Sequence, residues 1–205
     1  MKTFITLFAG LLIICMVQNS MGQISGTAHD FSSESWNTTG RICIVCHTPH
    51  HADVTVSDAP LWNHQITTQT FTLYSSSTLD ATLGQPDGNS KLCLSCHDGV
   101  TAIDNFGGTT TGTQVITGSG NIGTNLNNDH PISFLYDAAL ATSDGELYDP
   151  TTTSSGLGGT IAGDMLFANK MQCGSCHDVH NAANIAFLLV KSNAASALCL
   201  TCHDK

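Results

Sequence analysis

The chain has 205 residues with six Lys and Arg against sixteen Asp and Glu, a formal net charge of −10. That acidity argues against nucleic acid or an anionic lipid surface as a partner. Aromatic residues make up 6% of the sequence, too few for a domain of this length to build its core from large side chains alone.

Met1 and Lys2 precede an apolar run from Phe4 to Val17, and small polar residues follow through Gln23. Charge, apolar core and the small residues Ser20 and Gly22 describe a secretory signal peptide over 1–22, with a mature chain of 23–205. A membrane anchor would need roughly 20 apolar residues, more than this run offers. A lipidated Cys15 is disfavoured by Leu12-Ile13-Ile14, which lacks small residues. No later run is long and apolar enough to span a bilayer, so no membrane span is expected in the mature chain.

Eight cysteines then remain, in four pairs: Cys43 and Cys46, Cys93 and Cys96, Cys173 and Cys176, Cys199 and Cys202. Export makes disulfides the default reading. Each pair, however, is followed at once by a histidine: His47, His97, His177 and His203. With ten histidines in 205 residues, chance would set all four there on the order of once in a hundred thousand trials. C-x-x-C-H is the attachment signature of haem c, so four covalently attached haems are expected. One helical turn brings two thiols to the same side, where both can bond one porphyrin, and the histidine then binds the iron. Redox-active C-x-x-C sites and four-cysteine zinc sites leave the histidines unexplained.

The other histidines are candidate second ligands. His50 and His180 lie three residues after a proximal histidine; His64 follows Leu61-Trp62-Asn63, His130 precedes Pro131, and His29 lies near the mature N-terminus. With only Met165 and Met171 in the mature chain, His/His ligation and low potentials are expected. His51 is surplus.

The motifs alternate in kind. The first and third continue His-x-x-His, while the second and fourth read Leu-Cys-Leu-x-Cys-His-Asp. This is an internal repeat of a two-haem unit, about 23–106 and 129–205, joined by a Thr/Gly-rich segment. The second unit is compressed and holds no histidine from Asn181 to Leu198. His29 is therefore expected to serve a haem of its own chain or of a neighbouring subunit.

The expected fold is a loop-rich multihaem cytochrome with short helices at the motifs and little strand, the haems forming the core. The clearest helix is expected over Ala182–Val190 and a strand over Val115–Thr117. Trp36, Trp62, Phe71, Phe134 and Phe187 are expected to pack on porphyrins or in small clusters.

Ala28-His29-Asp30, Cys-x-x-Cys-His-Thr-Pro-His, Ala59-Pro60-Leu61-Trp62-Asn63-His64, Lys91 through Gly99, Asn128-Asp129-His130-Pro131 and the closing Cys-His-Asp-Lys give the chain a resemblance. It resembles exported tetrahaem cytochromes with doubled C-x-x-C-H motifs, including the subunits of extracellular cytochrome filaments. The resemblance implies closely stacked, bis-histidine haems running through each subunit into the next, with an N-terminal histidine, here His29, able to ligate a haem next door. His51 and the Thr/Gly insert depart from that pattern. The implied function is electron transfer without catalysis, between redox protein donors and acceptors, at the cell surface or outside it. Two alternatives are a discrete periplasmic shuttle and a multihaem reductase. Carboxylates such as Asp144, Glu146 and Asp149 read as a solvated loop rather than a catalytic pair.

Overall fold

The structure, a computed structural model, describes residues 23–57 and 59–205. The signal peptide expected over 1–22, Cys15 included, lies outside the described residues.

Regular structure is sparse, as the Thr, Ser, Gly and Asn content foretells. Among the described residues three α-helices, α1 (Gly88–His97), α2 (Ala138–Asp144) and α3 (Ile161–Asp164), are joined by irregular chain and short 3-10 turns. A two-residue antiparallel pair, β1 (Phe134–Leu135) and β2 (Lys170–Met171), is the only sheet among the described residues. All four cysteine motifs are helical, the second on α1 and the others on 3-10 turns at Cys43–Val45, Cys173–Ser175 and Cys199–Thr201. α2 is capped by Asp137, which accepts from Leu140 N, and ends at Gly145 with φ 74°. This is the ordinary pairing of an acidic N-cap with a left-handed glycine.

Two expected elements are absent. Ala182–Val190 is not a helix: Asn184, Phe187 and Leu188 have φ of 50°, 61° and 56°, in the left-handed region. Helical propensity loses because this stretch gives its backbone to the third motif, through Asp178 N to Leu188 O (2.7 Å) and Val190 N to Cys176 O (3.0 Å). Val115–Thr117 is not a strand; the chain pairs only where Ile103 N reaches Gln114 O.

A cluster of side chains is buried between 134 and 202. Phe134, Tyr136, Ala141, Ile161, Met165, Met171, Leu198 and Cys202 are buried together. Ile161 is fully buried, and burying such a side chain stabilises by about 1.5–3 kcal/mol. Tyr136 sends its hydroxyl to Tyr148 O at 2.6 Å, so its polar end is satisfied. In the first unit the clusters are small: Val56, Trp62 and Leu92, then Phe71, Leu94 and Leu126. Trp36 packs its ring near those of Phe31 and Phe106, whereas Phe187 is 85% exposed. Both methionines lie inside the main cluster, Met165 at 2% and Met171 at 5% exposure.

Candidate functional site

The first and third motifs are built alike. In each, one turn closes with the histidine N–H donating to the first cysteine's carbonyl, His47 to Cys43 at 2.8 Å and His177 to Cys173 at 3.1 Å. A remote segment then runs antiparallel to the motif. His47 Nδ1 lies 2.6 Å from Pro60 O, with Thr48 N bonded to Leu61 O and Asn63 N to Cys46 O. His177 Nδ1 lies 3.0 Å from Phe187 O, with Asp178 N bonded to Leu188 O and Val190 N to Cys176 O. Leu61 and Leu188 are both left-handed, at φ 53° and 56°. The repeat read in the sequence is therefore carried by the backbone, with 60–63 equivalent to 187–190. His64 of the first unit then corresponds to Lys191 of the second, which is where the second unit's histidine is missing.

The second motif sits at the C-terminal end of α1. Helix α1 starts at Asp87, whose side chain makes no cap bond to it. Gln172 caps it from across the molecule: its Oε1 accepts from Ser90 N (3.1 Å) and Ser133 Oγ (3.1 Å), and its Nε2 donates to Asp87 Oδ1 (2.9 Å). Cys173 N donates in turn to Ser90 Oγ and Gly174 N to Asn89 Oδ1. These bonds clamp the second motif to the third. His97 Nδ1 meets Gly120 O at 2.6 Å, and His97 O accepts from Ile122 N and Gly123 N.

For His47, His97 and His177, donation from Nδ1–H to a backbone carbonyl fixes the tautomer and leaves the Nε2 lone pair available to a metal. Burial, with His97 and His177 nearby, holds His29 down at about 4. Burial also lowers His203, helped by His130 and Lys205. Both therefore stay neutral, the form that binds metal.

Three of the other six histidines stand beside motif histidines. The His180 ring lies within 12° of parallel to that of His47 with centroids 6.1 Å apart. His29 stands 5.9 Å from His97, and His130 stands 6.4 Å from His203. An imidazole nitrogen binds a first-row metal at about 2.0–2.1 Å, with its ring centroid roughly 1.1 Å behind, so rings on opposite sides of one iron stand about 6.2–6.4 Å apart. The His130–His203 separation lies within that range, and the His47–His180 and His29–His97 separations lie 0.1 and 0.3 Å below it. No ring pair of this separation involves His177 among the described residues. His50 and His51 are exposed. His64 is buried with Nε2 3.1 Å from Ala102 O and 3.5 Å from Cys96 Sγ, and burial lowers its pKa.

The eight thiols are unpaired by disulfides among the described residues. Burial pushes Cys46 and Cys202 up to about 11 each, with smaller contributions from Cys43 and Cys176 respectively. Burial and then Cys46 raise Cys96; a hydrogen bond with Cys173 and then burial raise Cys93; burial and then Cys199 raise Cys176. Thiols of neighbouring motifs thus influence one another: Cys46 and Cys96, Cys93 and Cys173, Cys176 and Cys199. Among the described residues no three His, Cys, Asp or Glu side chains converge on one metal position. No described helix is long and apolar enough to cross a membrane.

Sequence reasoning did not find the pairing of each histidine, the cap from Gln172, or the equivalence of His64 and Lys191. The last was hidden by unequal spacing, since Pro60 follows His47 by 13 residues and Phe187 follows His177 by 10.

No curated protein matches the chain. Residues 166–205, which hold the third and fourth motifs, match the doubled CXXCH motif family, and this supports a c-type cytochrome with covalent haem c and redox partners.

Proposed function

We propose that the chain is an exported electron-transfer cytochrome, not an enzyme, that holds four haems and polymerises into an extracellular filament. When bound, the haems supply reversible one-electron storage, and the protein supplies spacing, ligands and burial. The observation that carries this reading is the set of three histidine ring pairs, 5.9–6.4 Å apart, each joining a motif histidine to one distant in sequence. Cys43, Cys46, Cys93, Cys96, Cys173, Cys176, Cys199 and Cys202 would anchor the porphyrins. His47, His97, His177 and His203 would bind from one side, and His180, His29 and His130 would bind opposite His47, His97 and His203.

The repeat itself supports polymerisation. His180 belongs to the third motif, yet its ring faces His47 of the first. His50 occupies the same place after the first motif and is exposed, while among the described residues His177 has no paired ring. Continuing the repeat into a second copy sets His50 of that copy opposite His177. A head-to-tail contact of this kind does not close on itself and makes a filament. His29 takes an intrachain role in this arrangement, and His64 supports the second motif beside Cys96.

The test is electron microscopy of holo-protein released gently from its native host's surface. Regular filaments of one subunit type, lost in His50→Ala and retained in His51→Ala, are expected. Dispersed particles of monomer size with a low-spin haem spectrum would instead establish a periplasmic shuttle, and a high-spin ligand-binding spectrum would establish an open haem on the third motif.

A further inference from the structure

Lys191 stands where the repeat would place a histidine. Its Nζ donates to Ser155 O at 2.6 Å and to Thr201 Oγ1 at 2.9 Å. Thr201 is buried inside the fourth motif, between Cys199 and Cys202. Gly156 makes room for this amine: a Cβ there would lie 2.8 Å from Nζ, and its φ of 75° suits glycine.

Lys170 and Lys205 are paired with Asp87 and Glu146, whereas both oxygens that hold Lys191 are uncharged. No carboxylate forms a salt bridge to it among the described residues. The loop's own carboxylate, Asp164, is turned to Ser155 Oγ and to Gly159 N–H. In a chain with sixteen acidic residues, a half-buried cation without an acidic partner beside a cysteine motif calls for a reason. The equivalent place in the first unit holds His64, a buried imidazole against Cys96.

We infer that Lys191 raises the reduction potential of the fourth-motif haem. A fixed positive charge stabilises the reduced, more electron-rich state of a neighbouring redox group, and does so more strongly in a partly desolvated site. The second motif has its own lysine, Lys91 on α1 two residues before Cys93, so the effect is assigned to the fourth-motif haem alone. This inference rests on the reading that Cys199 and Cys202 carry a haem.

The experiment is a potentiometric titration of the holo-protein with Lys191→Gln, Lys191→Met and Lys191→Arg, together with a haem count and low-spin spectrum for each. Gln and Met should move one of the four components to lower potential and leave three in place, while Arg should restore it. Four haems with no component shifted, or all four shifted alike, would overturn the role of Lys191. Loss of the fourth haem in both Gln and Met would overturn it in favour of a structural role. Fewer than four haems in the unsubstituted protein would instead overturn the haem assignment beneath it.

Discussion

Gln172→Ala should uncouple the second motif from the third. Gln172 is 3% exposed, and its Oε1 accepts both Ser90 N–H, in the first turn of α1, and the Ser133 hydroxyl. Alanine leaves these two donors without that acceptor, and a buried unsatisfied group costs about 1–3 kcal/mol. It also removes the cap of α1, an effect typically near 1 kcal/mol that overlaps the loss at Ser90. The two groups together give a destabilisation of about 2–6 kcal/mol, a large share of the roughly 5–15 kcal/mol that holds an ordinary domain together. Guanidinium denaturation of the holo-protein, followed by tryptophan fluorescence and by haem absorbance, measures it. Gln172→Glu, which keeps an acceptor, should recover part of the loss. A shift below about 0.5 kcal/mol for Gln172→Ala, the range of an ordinary surface substitution, would refute the clamp.

Further outcomes follow from other sites. Gly99 lies just past α1 with φ 68°, and a Cβ there would meet the Asn121 side chain at 2.3–2.7 Å; Gly99→Ala should destabilise by about 1–3 kcal/mol and loosen the Gly120 carbonyl that orients His97, visible as a lower denaturation midpoint. Ile161→Ala should cost about 2–5 kcal/mol in the same assay, because the site is fully buried within the main cluster. Asp87 lies below its ordinary 3.8: burial pushes it up, but hydrogen bonds from Lys170 and Gln172 outweigh that and hold it down. Its contribution is therefore present above pH 3.8 and is lost as pH falls through the lower folded value. Asp87→Asn should be less stable than the parent at pH 7, with the difference closing in that acid window of a pH-dependent denaturation series.

The motifs were legible because their chemistry is local: two thiols and an imidazole need one turn of chain, and Cys43–His47 carries all three. The partners were not, because His29, His130 and His180 reach their motifs through tertiary packing that no spacing encodes. Ala182–Val190 misled because its alanines favour helix while its backbone is recruited by Cys176 and Asp178. The buried cluster around Tyr136 and Ile161 was missed because its members are scattered over 134–202 without a common period. The repeat of kind, His-x-x-His against Leu-Cys-Leu, was visible. That the repeat also exchanges His64 for Lys191 emerged only once Pro60 and Phe187 were seen to bond equivalent histidines.

The central claim is that every C-x-x-C-H motif carries a haem, and the intact mass of the protein purified from its native host tests it most directly. The account predicts a single species equal to the chain beginning at Gln23 plus four haems, with no free thiol left to alkylate. A mass with fewer haems, and the remaining cysteines free or joined as disulfides, would contradict it.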